Sequence, residues 1–278
     1  MTRAIVTIAL GMDPCYRYGL KSISLYAGRC GSEVIIIDQD IVGAPKSFSL
    51  QKVAWLQKLH VLQLVNEYDE ILYLDSDILV APGAPNFFDW IQSKDPCSIA
   101  MYNEYHMGGR DAFIRKLPGS VFKVTNKDPS KYFNVGVMYL KKGNLLSELA
   151  KKDELIEVMA DGVPCPEQTY YNGLLLSNVI PVLELPRTFN FMEEDSLDVQ
   201  SRLFQFFIHY AGYSFRQRKK HKRSKIMRRD YFELFHKGQS LKYFLLTICM
   251  FRDRFEDSLF AMSKKIRKLA GFGKKVLR

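Results

Sequence analysis

The sequence predicts an α/β protein whose mostly parallel central sheet is flanked by helices. Three observations predict it. Short β-branched runs alternate with segments of helical periodicity, the junctions carry Gly and Pro, and the third run ends in two carboxylates. The chain has 278 residues, of which 47% are hydrophobic and 25% charged, the composition of an ordinary globular protein rather than a disordered one. That length suits one generous α/β domain, or one domain with an appendage.

Residues 4–9, Ala-Ile-Val-Thr-Ile-Ala, are β-branched and bounded by Gly11 and Pro14, so they read as a first buried strand. Residues 18–26 follow as a helix, and Glu33 to Asp38 as a second buried strand. A strong helix is expected over 49–65, where Ser49 can cap the start and Val53, Leu56, Leu59 and Leu62 share one face. Residues 70–77, Glu-Ile-Leu-Tyr-Leu-Asp-Ser-Asp, then form an apolar strand with Asp75 and Asp77 at its end. The βαβαβ order implies a largely parallel sheet, and ligands of such sheets bind beyond the carboxyl ends of strands, where the two aspartates fall. A Gly-x-Gly-x-x-Gly fingerprint and a Walker loop are both absent, which argues against a dinucleotide dehydrogenase or a P-loop ATPase.

Charge is distributed unevenly. Residues 1–215 hold 20 Lys+Arg against 25 Asp+Glu, whereas residues 216–278 hold 20 against 5. Nine basic residues fall within 216–229. A domain boundary is therefore expected near 215, with a catalytic body before it and a basic amphipathic helical tail over 216–278, which predicts an anionic partner for the tail. The five cysteines are scattered with no Cys-x-x-Cys pair, which fits a reducing cytosol. The N-terminal apolar run reads as a strand rather than a secretory signal, and no stretch of about 18 apolar residues suggests a spanning helix.

Four short stretches concentrate the candidate chemistry. Asp75 and Asp77 can both approach a hard divalent cation such as Mg²⁺ or Mn²⁺, which would neutralise a diphosphate; the alternative is a turn in which Asp caps backbone donors. Asn134 and Gly136 lie in a strand, 132–140, where a glycine suggests close approach of another group such as a sugar, or a simple bulge. Glu167 and Gln168 open a helix after Pro164 and Pro166, either to bind hydroxyls and developing charge or merely to suit the helix dipole. His209 ends an apolar run and could be a third metal ligand or a packed core histidine, with Gly212 allowing a tight turn against phosphate.

Taken in order, Leu-Tyr-Leu-Asp-Ser-Asp, Asn-Val-Gly-Val-Met, Glu-Gln-Thr-Tyr-Tyr-Asn and His-Tyr-Ala-Gly resemble the motifs of glycosyltransferase family 8 over about residues 4–216. Trp55-Leu-Gln-Lys58-Leu-His60 is similar to the Lys-Leu-His helix of the same family. The resemblance implies a GT-A type nucleotide-diphospho-sugar transferase fold, a UDP-sugar donor, Mn²⁺ (or Mg²⁺) and retention of anomeric configuration. It implies Asp75, Asp77 and His209 as metal ligands, with Asp75 also serving the nucleotide. Lys58 would stand near the donor phosphates and sugar, Asn134 would line the sugar site, and Glu167 would contact donor hydroxyls. Gln168 would stand beside the anomeric carbon, and the loop from Ala9 through Tyr16 would hold uracil and ribose. One departure stands out: Phe215 occupies the place of the family's phosphate-binding lysine, and Arg216 next to it is the expected substitute.

The function expected is therefore metal-dependent transfer of a hexose from a UDP-sugar to a hydroxyl of a glycan or glycolipid acceptor, with a lipopolysaccharide or other cell-surface glycan as one such acceptor. The basic, aromatic-rich tail predicts peripheral attachment to an anionic membrane surface, placing a cytoplasmic enzyme at the inner face of the membrane. Two other classes compete. A metal-dependent nucleotidyltransferase shares paired carboxylates but does not explain the later motifs. A non-catalytic polyanion- or nucleic-acid-binding protein would use the basic run, but no RNA- or DNA-binding motif accompanies it.

Overall fold

β-Branched and aliphatic residues near the N-terminus build the first three strands: β1 (Arg3–Ile8), β2 (Glu33–Ile37) and β3 (Glu70–Leu74). The structure is a computed structural model and describes residues 1–12, 16–94, 96–117, 131–192, 202–211 and 220–236. The nine described α-helices are α1 (Tyr16–Cys30), α2 (Leu50–Leu56), α3 (Lys58–Gln63), α4 (Phe87–Gln92), α5 (Arg110–Ile114), α6 (Leu145–Leu149), α7 (Lys152–Ala160), α8 (Pro166–Ser177) and α9 (Lys220–His236). The remaining strands are β4 (Ile78–Val80), β5 (Ile99–Asn103), β6 (Phe133–Lys141), β7 (Leu183–Glu184), β8 (Phe191–Met192) and β9 (Phe207–His209).

The main sheet has the order β2-β1-β3-β6-β5-β7. Among the described residues, three of its five pairings are parallel, and β6 runs antiparallel to both neighbours. A small sheet, β4-β9-β8, stands beside it. Alternation along the strands sorts the core onto two faces. Val6, Ile8, Ile71 and Tyr73 pack with Leu56, Leu59 and Leu174 on one side, while Ile5, Leu72, Leu74 and Val137 pack with Ile23, Tyr26, Phe87 and Phe88 on the other.

Two sequence expectations change here. β2 is not a buried strand: it lies at the sheet edge, and Ile36 is 43% exposed. The expected single helix over 49–65 is divided at Gln57. Ser49 does cap its start, accepting from the Lys52 N–H, and Leu56, Leu59 and Leu62 are buried as predicted. The buried Gln57 side chain, however, accepts from the Ile41 and Val42 N–H groups and donates to Asp40, anchoring the loop after β2. Lys58 then opens α3 one residue later.

By its internal contacts the chain divides into residues 1–228 and residues 229–278. In the second unit, Tyr231 stacks on Phe235 with ring centroids 4.6 Å apart. The rest of the basic tail, including residues 241–251 and 263–278, lies outside the described residues. Among those described, no helix is long and apolar enough to cross a membrane.

Candidate active site

The acidic pair sits where β3 ends. Asp75 makes the last ladder bond, its N–H donating to the Gly136 carbonyl at 2.8 Å, and the Ile78 N–H then turns back onto the Asp75 carbonyl at 3.0 Å. The turn is held from outside by α1. A Cβ at Gly19 would lie 2.1 Å from the Ser76 carbonyl oxygen, so only glycine lets the helix seat against it. The Tyr210 N–H donates to the Asp77 carbonyl at 3.1 Å, tying the small sheet to the same turn.

That tie brings His209 in from 132 residues downstream. Its buried ring lies 3.3 Å (Nε2) from Asp77 Oδ1 and 3.6 Å from Asp75 Oδ2. One ligand atom from each of Asp75, Asp77 and His209 lies within 4.8 Å of the others. The ring is oriented by a chain of amides. Gly136 N–H and Asn190 Nδ2 both donate to Asn134 Oδ1 at 2.8 Å, which turns Asn190 Oδ1 toward His209 Nδ1, also at 2.8 Å. Nδ1 is therefore the donor, and Nε2 faces the carboxylates, the arrangement that a metal-ligating histidine needs. Burial would lower the imidazole's affinity for a proton, but Asp77 and then Asp75 raise it above its ordinary value. Burial likewise works against the Asp77 anion, yet His209 and then Arg223 hold its carboxyl down at about 2. Two hard oxygen ligands with one imidazole, all deprotonated when loaded, suit Mn²⁺ or Mg²⁺.

Gly136 marks the closest approach in the site. A Cβ there would stand 2.3 Å from His209 Cε1 and 2.9 Å from both Asp75 Oδ2 and Asn134 Oδ1. The close approach that the strand glycine suggested is made here by the protein's own His209, Asp75 and Asn134 side chains.

Lys58, at the start of α3, is 4% exposed and reaches across the sheet end. Its Nζ lies 3.3 Å from Asp75 Oδ1 and 3.6 Å from Glu167 Oε1, and donates to the Val135 carbonyl at 3.2 Å. Burial would lower the ammonium pKa, but Asp75 and then Glu167 raise it above the ordinary value. The second oxygen of Glu167, Oε2, is buried and makes no hydrogen bond among the described residues, and burial raises the carboxyl pKa despite Lys58. A buried, unpartnered carboxylate oxygen costs stability unless a ligand supplies a donor.

Gln168 is committed at both ends of its amide. Nε2 donates to Glu104 Oε1 at 2.8 Å, while Oε1 accepts from Asn134 Nδ2 at 3.2 Å and from the Val135 N–H at 3.4 Å. Asn134 Nδ2 also donates to Glu104 Oε2 at 2.8 Å, and Arg110 Nε lies 2.9 Å from Glu104 Oε1. Asp75, Asp77, His209, Lys58, Glu167, Gln168 and Asn134 thus form one connected cluster.

The other predicted positions stand differently. Ala9 is buried and donates its N–H to the Ile37 carbonyl at 2.8 Å, so its backbone shapes the end of β1. Tyr16 begins α1. Gly212, Phe215 and Arg216 lie outside the described residues. Sequence reasoning missed Glu104, Asn190, Arg110 and Arg223. Glu104 directly follows β5, so the carboxyl-end rule that found Asp75 could have found it. Arg223 was hidden as one basic residue among nine, and its Nη1 lies 2.8 Å from Asp77 Oδ2.

The family described as glycosyl transferase family 8 matches residues 32–215. No curated protein sequence matches the chain significantly. Among solved structures, a glycosyltransferase involved in glycosylation of the major capsid of PBCV-1 superposes with a TM-score of 0.53 at 14% identity, covering 82% of this chain and 99% of that one. The galactosyltransferase LgtC, in complex with donor and acceptor sugar analogues, gives 0.48 at 17% identity, covering 81% and 95%. Mouse xyloside xylosyltransferase 1 gives 0.47 at 14% identity, covering 75% and 97%.

Proposed function

The chain belongs to glycosyltransferase family 8 and has the GT-A fold, and from that premise we propose that it is a metal-dependent, retaining hexosyltransferase using a UDP-sugar. The acceptor proposed is a hydroxyl of a glycan or glycolipid. The observation that carries this reading is the convergence of Asp75, Asp77 and His209 beside the buried Lys58 and Glu167. A cation held by the first three would neutralise the diphosphate and stabilise it as a leaving group.

The protein's own groups do the rest. Lys58, charged and desolvated, faces the position of the diphosphate, and Arg216 is proposed to assist there in place of the lysine absent at Phe215. Ala9 to Tyr16 is proposed to seat the nucleoside. Glu167 Oε2 offers an acceptor to a donor-sugar hydroxyl and negative charge beside the oxocarbenium character that develops as the anomeric bond breaks. Asn134 and Glu104 hold the Gln168 amide next to the sugar site. Gln168 is neutral and its carbonyl oxygen already accepts two hydrogen bonds, which favours same-face attack by the acceptor hydroxyl over a covalent intermediate on Gln168.

The basic run and the tail beyond it support attachment to the anionic inner face of a membrane, where a lipid-linked or lipopolysaccharide acceptor would lie. The test of the catalytic reading is a screen of UDP-sugars for Mn²⁺-dependent thermal stabilisation and for Mn²⁺-dependent release of UDP, with Asp77→Ala alongside. At least one UDP-sugar should raise the Tm only with the ion present, and Asp77→Ala should abolish turnover while staying folded. Near-normal turnover of that variant in excess Mn²⁺ would remove the metal role.

A further inference from the structure

Each carboxylate of the acidic pair stands between His209 and a basic group. Asp75 turns Oδ2 to His209 and Oδ1 to Lys58 Nζ, at 3.6 and 3.3 Å. Asp77 turns Oδ1 to His209 and Oδ2 to Arg223 Nη1, at 3.3 and 2.8 Å. The two basic groups come from distant parts of the chain, and both are largely buried, at 4% and 11% exposure. Lys58 is fixed on the short helix α3 behind the sheet. Arg223 instead comes from the first turn of α9, within the basic run.

We propose that Arg223 is a charge-exchange residue: it neutralises Asp77 before an ion binds, and turns to the diphosphate when the ion takes its place on that carboxylate. This rests on the donor reading given above. The physical reason is the charge balance. A guanidinium 2.8 Å from Asp77 opposes a divalent cation at the same carboxylate, because like charges at short range in a poorly solvated site repel strongly. An ion that claims Asp77 weakens this ion pair, while a diphosphate bound to that ion would offer paired phosphate oxygens that the planar guanidinium can meet with two parallel N–H donors. Arg223 would thus weaken binding of the ion alone and strengthen binding of the nucleotide. That opposite pair of effects separates it from a purely structural arginine, whose loss would weaken both.

The experiment measures Mn²⁺ affinity without nucleotide, and UDP affinity in saturating Mn²⁺, by titration calorimetry on the full chain. Arg223→Gln, which keeps the length and removes the charge, should bind Mn²⁺ about tenfold more tightly and UDP about tenfold more weakly than the parent. Arg223→Lys, which keeps the charge but loses the bidentate fork, should leave Mn²⁺ affinity within about threefold of the parent and weaken UDP binding less than Arg223→Gln does. Weakening of both ligands in Arg223→Gln, or unchanged UDP affinity, overturns the proposal. If the parent protein itself binds no UDP in Mn²⁺, the donor reading fails, an outcome distinct from a parent that binds UDP and a variant that binds it equally well.

Discussion

Gly136→Ala is the sharpest probe of how the site is built. The added methyl would lie 2.3 Å from His209 Cε1 and 2.9 Å from Asp75 Oδ2 and Asn134 Oδ1. Carbon atoms in contact rest about 3.5–4.0 Å apart, so the imidazole must retreat by more than about 1 Å. It has little freedom to do so. Its ring is buried and anchored through Asn190 to Asn134, which the same methyl crowds. Overpacking of this kind costs about 1–3 kcal/mol, which in a chain of this size lowers the Tm by roughly 2–10 °C. Function should suffer more than stability, since a displacement of about 1 Å at a reacting centre costs about a hundredfold in rate. The assay pairs a thermal melt and a Mn²⁺ titration with Mn²⁺-dependent UDP release. A folded alanine variant with parental Mn²⁺ affinity and turnover would refute the claim that His209 and Asp75 meet over this glycine.

Other outcomes follow from the same contacts. Glu104→Gln leaves an amide that cannot accept from both Asn134 and Gln168 and no longer pairs its charge with Arg110, so turnover should fall about ten- to a hundredfold with only a small change in Tm; unchanged turnover would show that the orientation of Gln168 is set elsewhere. Asp40 accepts from the Gly43 and Ala44 N–H groups and from Gln57, and these bonds outweigh the effect of burial and depress its pKa. Its stabilising effect is therefore present above the ordinary carboxyl value of 3.8 and is lost as pH falls through the lower folded value. Asp40→Asn should melt below the parent at neutral pH, and the gap should close in acid; a gap that does not narrow as the pH falls below the ordinary carboxyl value would contradict this. For the tail, the full chain should co-sediment with anionic vesicles and release with salt, whereas a chain ending at residue 215 should not; equal binding by both would refute the membrane role.

The local sequence determined the elements and most of the site's residue types. A β-branched run, a capped amphipathic segment and an apolar strand ending in Asp-Ser-Asp are short-range signals, readable because their chemistry and period lie within a few residues. The order of four motifs was enough to identify glycosyltransferase family 8. Tertiary structure decided what lies between those motifs in space. The crowding of Gly136 by His209 depends on β9 pairing with β4 while β6 pairs with β3, which no local pattern encodes. The edge position of β2 and the break at Gln57 depend likewise on partners tens of residues away, or in an adjoining loop. Arg223 is the plainest case. Composition marked it only as part of a positive run, because a cation's partner is chosen by chain folding, and here the fold sets it against Asp77, 146 residues upstream.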